Sequence, residues 1–356
     1  MITYFELGAN KRLNQIVFAG SHDAGITGGN SNVKTQRLDI LKQSWAGVRL
    51  FDIRIAAQSV AVAGGFKKAE LRAFHSGIKR DKTKFRSYQG RGELVKRSKL
   101  VGGDWGMGLT KILTDARDFV QSQSGSNEFL ILKFDKCINW PLIAQACKAE
   151  LGDAVYRQGG NINTKTLGDL RGKVIVLFSH GGWMEAGSPP VSEGILRFKN
   201  LYAPGASYED DFDGLQYFGK GGTSVKKPLR KISQNVAKQK KLMSKAGTLA
   251  MANPNLMGMM YWTTTGIFQS IKRRNDGMWD TPNVVRLKKL WAGGLQEFVH
   301  TRNPLTAPAG SPAVGAERRR YLPNIVMIDF ADEIKCRHIR GLNDASAEQL
   351  AAMADA

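Results

Sequence analysis

Residues 15–25 read QIVFAGSHDAG, an apolar run followed directly by a glycine-flanked turn that carries His22 and Asp23. Two later segments repeat this plan, since LFDIR at residues 50–54 and AFHSG at residues 73–77 each end an apolar run with charged or titratable side chains. Active sites of parallel barrels are assembled in this way, at the carboxyl ends of successive strands. The three strand ends together supply two histidines, two carboxylates and an arginine.

Strands and helices alternate along the rest of the chain. Short apolar runs predict strands at residues 16–19, 48–55, 71–74, 129–134, 174–178, 215–218, 257–262 and 325–330. Apolar residues at three-to-four spacing predict helices at residues 109–122, 140–151, 228–245 and 282–300. This alternation favours a parallel sheet, and about eight repeats favour a closed barrel over an open doubly wound sheet. We therefore predict an α/β fold, a distorted (β/α)8 TIM barrel.

The barrel is expected to be irregular and to form a single domain. Around residues 64–65 the connection between the second and third predicted strands is a short loop with no helix. Residues 181–213 and 303–323 are interpreted as loops or insertions. Neither is interpreted as a domain linker, because an apolar strand with a terminal aspartate still follows. We predict a catalytic barrel over residues 1–340 and a C-terminal tail over residues 341–356.

The charge balance implies an anionic partner or surface. The 356 residues include 52 Lys and Arg against 31 Asp and Glu, which gives a net charge of +21. Residues 66–99 hold twelve Lys and Arg with three acids, and residues 220–245 hold nine with no acid. These runs are interpreted as solvated basic faces or as contacts with an anionic phospholipid membrane. Nucleic acid is the least favoured partner, because no RNA-binding signature or zinc-finger spacing accompanies the runs.

The cysteines and the N-terminus bear on the compartment. Cys137, Cys147 and Cys336 form no CxxC pair and no metal-ligand pattern, so we expect reduced, partly buried thiols. The N-terminus lacks the regions of a signal peptide, and no apolar run of about 18 residues predicts a transmembrane segment. We expect contact with lipid from the surface. The location stays open between the cytoplasm, export without a classical leader and delivery as a toxin.

Two charged pairs stand at predicted strand ends. Residues two apart in a strand point to the same side, so Asp52 and Arg54 are expected to face the barrel lumen together. Lys133 and Asp135 repeat this spacing on the fourth predicted strand. Each pair is open to two interpretations, a structural ion pair or part of a functional site.

The histidines favour a functional site. Two histidines on neighbouring strands beside an arginine suit phosphodiester cleavage, because one can take a proton while the other gives one. The guanidinium of Arg54 offers a planar fork to a phosphate and stabilises the charge that grows in the transition state. Each histidine needs an acceptor that fixes its tautomer. For His22 and His75 the candidate acceptors are Asp23 and Asp329.

Six segments in order resemble the catalytic X domain of phosphatidylinositol-specific phospholipase C, particularly the small bacterial enzymes. They are GSHDAG at 20–25, GVRLFDIR at 47–54, FHSG at 74–77, EFLIL at 128–132, LGDLRGKV at 167–174 and VMIDF at 326–330. The resemblance covers residues 14–331. It implies the distorted TIM barrel that the strand count also predicts.

The resemblance implies a role for each histidine. His22 is expected to be the general base that removes the proton from the inositol 2-hydroxyl, with Asp329 as its carboxylate partner. His75 is expected to protonate the diacylglycerol leaving oxygen, with Asp23 orienting it. The implied products are diacylglycerol and inositol 1,2-cyclic phosphate, which water then opens to inositol 1-phosphate.

Further residues are expected to bind the substrate. By the same resemblance, Arg54 holds the phosphate, and Asp52 positions Arg54 or lies against the inositol. Lys133, His180 and Tyr217 are the other expected substrate contacts. His180 directly follows a predicted strand, which is where barrel enzymes place such side chains.

The resemblance leaves a choice about calcium. Metal-independent bacterial members carry an arginine at the position of Arg54, where calcium-dependent members have an acid. Asp135 matches a calcium ligand of the second group, and Asp23, Asp52 and Asp135 could form an oxygen-rich site. We favour no cofactor, because a cation beside a guanidinium is costly without extra negative charge. Calcium is the alternative.

Other functions stay open beside the phospholipase. One is a phosphodiesterase that acts on another phospholipid or on a glycosyl-phosphatidylinositol anchor. Another is a catalytically silent module that binds inositol lipids through Arg54 and the basic faces. Such a module does not need two histidines with carboxylate partners, so the sequence favours the enzyme.

Overall fold

Eight parallel strands close into a barrel, and their order around the barrel follows the chain. The structure, a computed structural model, describes residues 1–61, 67–86, 94–221, 231–264, 270–288, 290 and 323–344. The barrel strands are β1 (Phe18–Ser21), β2 (Val48–Ile53), β6 (Phe129–Phe134), β7 (Lys173–Ser179), β8 (Ile195–Asn200), β9 (Gly214–Phe218), β10 (Met257–Trp262) and β11 (Pro323–Ile328). β1 closes the barrel between β2 and β11, with Ala19 opposite both Val48 and Val326. The predicted TIM-type barrel is confirmed.

Helices connect many of the strands. They are α1 (Ile40–Ala46), α2 (Leu109–Gln121), α3 (Trp140–Leu151), α4 (Leu167–Leu170), α5 (His180–Glu185), α6 (Ile232–Ala252), α7 (Ile271–Met278) and α8 (Glu333–Gly341). α1 shows how local chemistry sets their ends. Asp39 caps its N-terminus by accepting the backbone N–H of Lys42, and Gly47 ends it at a φ of +114°. A Cβ at Gly47 would lie 3.0 Å from side-chain carbons of Ile2 and Cys336, so this turn into β2 favours glycine.

A three-stranded sheet is inserted between β2 and α2. It consists of β3 (Ile55–Ala61), β4 (Lys67–Arg86) and β5 (Leu94–Gly108), and β4 pairs antiparallel with both neighbours. The prediction of a barrel strand at residues 71–74 was wrong, because these residues lie within β4. A single residue, Arg54, separates the end of β2 from the start of β3. The sheet therefore begins at the carboxyl end of the barrel.

β8 is the eighth barrel strand, in place of the strand predicted at residues 71–74. It lies within residues 181–213, so the prediction of a loop there was wrong. Along β8, Phe198 packs on Tyr217, with ring centroids 6.3 Å apart, whereas the neighbouring Lys199 pairs with Glu209. This alternation of apolar and basic residues is a strand signal. The surrounding glycines, prolines and acids obscured it.

The predicted helices are matched in part. α2 and α3 confirm the helices predicted at 109–122 and 140–151. The helix predicted at 228–245 corresponds to α6, which begins at Ile232 and continues to Ala252. Most of the predicted helix at 282–300, most of the predicted loop at 303–323 and the turn at 64–65 lie outside the described residues.

Two other expectations can be compared with the structure. Cys137, Cys147 and Cys336 are free and buried, as predicted for reduced thiols. In the described ranges, no helix has both the length and the apolar character required to cross a membrane.

The start of the predicted tail is attached to the barrel. Asn343 donates from Nδ2 to the carbonyl of Val17 at 2.7 Å and accepts the N–H of Val17 at 2.8 Å. Leu342 beside it is 7% exposed. These two residues therefore pack as part of the domain. Asn343 contacts Val17, the residue that precedes β1.

A buried ion pair joins the amino-terminal ends of β2 and β6. Arg49 Nε donates to Glu128 Oε2 at 2.8 Å, and the two side chains are 0% and 1% exposed. Both side chains also form hydrogen bonds with the backbone. The carbonyls of Ile2, Ser44 and Val48 accept from Arg49. The amides of Tyr4 and Phe5 donate to Glu128. The pair therefore holds the N-terminal segment against the base of the barrel.

Removing one partner of this pair tests its structural role. Arg49→Met is expected to lower the free energy of unfolding by about 3–5 kcal/mol, because Glu128 is left as an uncompensated buried charge. Denaturant unfolding followed by circular dichroism measures the change. The matched control is Arg337→Met, which breaks the exposed pair with Glu333 on α8 and should cost at most about 1 kcal/mol. Equal small losses in both variants would contradict the role.

Candidate active site

Hydrogen bonds fix the two loops that leave β1 and β11. Gln36 donates from Nε2 to the carbonyls of His22, at 2.9 Å, and Ile328, at 3.2 Å. Its Oε1 accepts the N–H of Ala331 at 2.9 Å. Asp23 adopts a left-handed conformation with φ of +44°, a strained position for a residue other than glycine. The buried side chain of Gln36 thus joins the loop at His22 to the loop that follows Ile328.

Five predicted site residues meet at the barrel mouth. His22 Nδ1 lies 2.9 Å from Asp329 Oδ1, so this carboxylate can fix the tautomer of the ring. Asp23 Oδ2 lies 3.3 Å from His75 Nε2 and 3.5 Å from His22 Nε2. Asp23 Oδ1 lies 3.0 Å from Arg54 Nε. The arrangement contains two histidine–carboxylate pairs, with Asp23 shared between both histidines and the guanidinium.

His75 reaches this group from the inserted sheet. It lies on β4, opposite Asp104 of β5, and not at the end of a barrel strand as predicted. The N–H of Phe74 donates to the carbonyl of Arg54 at 3.1 Å, which ties β4 to the end of β2. His75 Nδ1 is buried and has no hydrogen-bond partner among the described residues. This nitrogen can therefore serve a bound substrate.

Charge and burial shift the pKa values of the two histidines in opposite directions. Burial opposes protonation of His22, but the carboxylates of Asp23 and Asp329 outweigh it and raise the pKa of His22 to about 9. At His75, burial dominates over the attraction of Asp23, and the positive charge of Arg54 adds to its effect. The pKa of His75 is therefore lowered from 6.5. At neutral pH, His22 carries a proton and His75 is neutral.

The carboxylates of Asp23 and Asp329 also differ in the direction of their pKa shifts. Burial alone would raise the pKa of Asp23, but Arg54, His22 and His75 lower it to about 2. Burial raises the pKa of Asp329, and the contact with His22 offsets only part of that rise. Asp23 is thus firmly ionised. The mouth holds one proton donor, one proton acceptor and a guanidinium, which are the groups that cleavage of a phosphodiester requires.

A polar layer lies below the histidines in the barrel lumen. The penultimate residues of four strands form it: Asp52 of β2, Lys133 of β6, Tyr217 of β9 and Tyr261 of β10. Lys133 Nζ donates to Asp52 Oδ1 at 2.8 Å and lies 4.3 Å from the ring centroid of Phe198. Asp52 therefore pairs with Lys133, and the predicted pairing of Asp52 with Arg54 gives way to that of Asp23 with Arg54.

Tyr217 is buried beside this lysine. Burial raises the pKa of Tyr217 to about 12, and the nearby charge of Lys133 opposes the rise. The phenol is therefore neutral and can donate or accept a hydrogen bond. Together with Lys133 it provides polar groups that a hydroxyl-rich ligand could contact.

His180 is placed differently from the other candidates. It begins α5 after β7, its side chain is exposed, and its ring stacks on Trp183 at 6.3 Å between centroids. It follows β7 at the rim of the mouth, where it contacts Trp183. The structure does not bring His180 together with the five residues that meet at the barrel mouth.

Sequence reasoning missed three residues of the site. The ring of Tyr261 meets His22 edge-on, with centroids 6.0 Å apart, and Phe198 covers Lys133. Gln36 holds the loop backbone. A signal existed for Tyr261, because it occupies the same penultimate strand position as Asp52 and Lys133. Gln36 lies in a segment without periodicity and gave no signal.

The residues present fit calcium poorly. Ligand atoms of His22, Asp23 and Asp52 lie within 4.8 Å of one another, which is the spacing of a possible metal site. Two cations already neutralise its carboxylates, since Arg54 Nε lies 3.0 Å from Asp23 and Lys133 Nζ lies 2.8 Å from Asp52. Lys133 Nζ also lies 4.0 Å from Asp135. A divalent ion placed among these groups would meet two positive charges at close range.

Comparison with known proteins supports the fold. No protein-family model matches the sequence, and no curated protein is significantly similar to it. Among solved structures, phosphatidylinositol-specific phospholipase C from Listeria monocytogenes shares 14% identity, covers 94% of this chain and 95% of its own, and superposes with a TM-score of 0.51. The F249X mutant of the corresponding enzyme from Staphylococcus aureus shares 16% identity over 94% and 95%, with a TM-score of 0.48. The chain therefore has a barrel of the kind found in the Listeria enzyme.

Titration of the histidine rings by NMR tests the electrostatics of the site. His22 is expected to titrate near pH 9, and His75 below its usual 6.5. Asp329→Asn removes a negative charge from His22, so its pKa should fall toward 6.5. The control is Glu333→Gln, which removes an exposed carboxylate of α8 and should leave the pKa of His22 unchanged. Titration of His22 and His75 at the same pH would contradict the geometry.

Proposed function

We propose that the chain is a metal-independent phospholipase C that cleaves the glycerol–phosphate bond of phosphatidylinositol. The observation that carries the proposal is the pair of histidine–carboxylate contacts at the barrel mouth, joined through Asp23 to Arg54. A module that only binds lipid gains nothing from holding two partly buried histidines whose pKa values are shifted in opposite directions. An enzyme that moves a proton in each direction needs that arrangement.

In the first step the inositol 2-hydroxyl attacks phosphorus. His22 takes the hydroxyl proton on Nε2, while Asp329 holds the other ring nitrogen. The bond between phosphorus and the glycerol oxygen breaks, and His75 gives that oxygen a proton from Nδ1. Arg54 neutralises the charge that develops on the phosphoryl oxygens. Diacylglycerol and inositol 1,2-cyclic phosphate are formed.

In the second step the roles reverse. His75, now neutral, takes a proton from water, and the resulting hydroxide attacks phosphorus. The bond to the 2-oxygen breaks, and His22 returns the proton to that oxygen. Inositol 1-phosphate leaves, and both histidines regain their starting protonation.

Substrate binding places the proton where this cycle needs it. In the free site the proton lies on His22, whereas the first step requires it on His75. Burial and the charge of Arg54 both lower the pKa of His75; a phosphodiester anion beside Arg54 neutralises that charge, and its own charge favours the imidazolium. Asp23 Oδ2 lies within 3.5 Å of the Nε2 atoms of both rings. The same carboxylate thus supports a proton on either histidine.

Lys133 and Tyr217 are the proposed contacts for the head group. Both lie in the lumen below the mouth, and hydroxyl groups of an inositol can accept from the ammonium and exchange hydrogen bonds with the phenol. Asp52 holds Lys133 in place. A panel of phospholipid head groups distinguishes phosphatidylinositol from another glycerophospholipid or a glycosyl-phosphatidylinositol anchor.

Product analysis tests the proposal. Vesicles of phosphatidylinositol incubated with the protein should yield cyclic inositol phosphate by phosphorus NMR, with and without a calcium chelator. His22→Ala and His75→Ala should each lower the rate by about 10²–10⁴-fold, as expected for loss of a general base or acid. His338→Ala removes an exposed histidine and should keep the full rate. No product from vesicles of any head group would contradict the enzyme, and loss of product with chelator would contradict metal independence.

The pH profile gives a second test. Cleavage requires one protonated and one neutral histidine, so activity falls at low pH, where both carry protons, and at high pH, where neither does. For kcat/KM we expect a plateau that ends on the alkaline side near pH 9 with His22, and on the acid side below pH 6.5 with His75. A profile that rises steadily through pH 9 would contradict this assignment.

A further inference from the structure

A buried two-residue segment, Thr35 and Gln36, lies between the loops that carry His22 and Asp329. Both residues of the segment are 0% exposed, and neither belongs to a helix or a strand. Their backbone N–H groups both donate to the carbonyl of Ile26, at 3.2 and 3.0 Å. Threonine and glutamine are mostly exposed in proteins, because burial of a polar side chain is unfavourable unless it forms hydrogen bonds. The bonds that these two side chains form therefore indicate what the segment does.

One set of bonds holds the loop that leaves β1. Thr35 Oγ1 donates to the carbonyl of Asp23 at 2.9 Å, and Gln36 Nε2 donates to the carbonyl of His22 at 2.9 Å. The segment thus bonds to the backbone of two successive residues whose side chains belong to the candidate site. The backbone of both residues is fixed from one direction.

A second set of bonds holds the loop that leaves β11. The glutamine amide also donates to the carbonyl of Ile328, at 3.2 Å, and its oxygen accepts the N–H of Ala331, at 2.9 Å. The backbone carbonyl of the threonine accepts the N–H of Phe330 at 2.6 Å. The bonded groups stand on both sides of Asp329 in the sequence. This carboxylate cannot move away from the histidine unless these bonds break or the segment moves with it.

Backbone strain at two of the bonded residues indicates a positional role. Asp23 and Phe330 have φ of +44° and +48°, in the left-handed region that residues other than glycine rarely adopt. Such conformations persist only where the surrounding structure over-determines them, and they are concentrated at functional sites. Asp23 directly follows His22, and Phe330 directly follows Asp329. Thr35 bonds to both strained residues, to the carbonyl of one and the N–H of the other.

We propose that Thr35 and Gln36 are positioning residues, which hold His22 Nδ1 against Asp329 Oδ1 at their separation of 2.9 Å. They act through the backbone of the two loops. The inference rests on the proposed function for its effect on turnover, because a reacting group misplaced by about 1 Å can cost on the order of 100-fold in rate. Arg54, the proposed phosphate contact, follows β2 and lies outside both loops. Loss of the bonds should therefore lower kcat more than it raises KM.

Two variants remove these bonds with little change in side-chain volume. Gln36→Met removes the amide and keeps the length of the side chain, and Thr35→Val removes only the hydroxyl. On phosphatidylinositol vesicles, we expect kcat to fall about 10–100-fold in Gln36→Met and about 10-fold in Thr35→Val, with KM within about threefold of the unaltered chain. Thr35→Ser keeps the hydroxyl, so its kcat should stay within about threefold of the unaltered chain.

Gln43→Met is the matched control. This glutamine of α1 is also 0% exposed, and its Nε2 also donates to two carbonyls, those of Ala24 and Leu38. One of these carbonyls lies in the same loop as His22, but neither lies in the loop that leaves β11. A role in stability alone predicts similar losses of kcat in both glutamine variants, whereas the positioning role predicts a loss in Gln36→Met only. Equal losses in the two variants, or full kcat in Gln36→Met, would overturn the proposal.

A proton NMR measurement provides a readout that does not depend on turnover. The hydrogen bond between His22 Nδ1 and Asp329 is charge-assisted, so its proton should give a resonance at low field, which His22→Ala assigns by its loss. We expect this resonance to persist in Gln43→Met and Thr35→Ser and to be broadened or lost in Gln36→Met and Thr35→Val. An unchanged resonance in Gln36→Met, or no such resonance in the unaltered chain, would contradict the positioning role. If no lipid yields product, the resonance alone decides, so this inference and the proposed function can fail separately.

Discussion

The site depends on the buried, ionised carboxylate of Asp23. Its side chain is 1% exposed, and its two oxygens face Arg54 and the Nε2 atoms of His22 and His75. Burying an unpaired carboxylate is costly, and these three neighbours hold its pKa at about 2. In return, the single negative charge attracts a proton to either ring. Both acid–base pairs are therefore coupled through one residue.

The closed barrel brings distant parts of the chain to this carboxylate. Ser21 and Ile328 are opposite each other on β1 and β11, so His22 and Asp329 emerge side by side although 307 residues separate them. The inserted sheet adds His75 from a third direction, because β3 starts where β2 ends. The buried Arg49–Glu128 pair joins β2 and β6 at the opposite end of the barrel. A packed barrel with its polar groups paired holds the mouth in one geometry.

Much of the site was predictable from local sequence. Titratable residues that end apolar runs identified the histidines, Arg54 and Asp329, and the alternation of strands and helices predicted the barrel. The assignment of residues 71–74 to the barrel was wrong because a short apolar run has the same sequence pattern in a parallel and in an antiparallel sheet. The partner of Asp52 could not be read from β2 alone, since the register with β6 places Lys133 opposite it. Gln36 acts through long-range hydrogen bonds that no local pattern reveals.

The inserted sheet gives the barrel a feature that its strands alone do not provide. Its strand β4 contributes His75, which lies opposite Asp104 of β5. His22 follows β1 of the barrel and His75 lies on β4, so the two histidines of the candidate site come from different sheets.

A change of leaving group tests the central claim, that His22 acts as the base and His75 as the acid. A nitrophenyl ester of inositol phosphate has a leaving group that departs without a proton, whereas the glycerol oxygen of the lipid needs one. His75→Ala should therefore lose about 10²–10⁴-fold on the lipid but less than about tenfold on the nitrophenyl ester, while His22→Ala should lose heavily on both. Rescue of His22→Ala by the nitrophenyl ester, with no rescue of His75→Ala, would contradict the account.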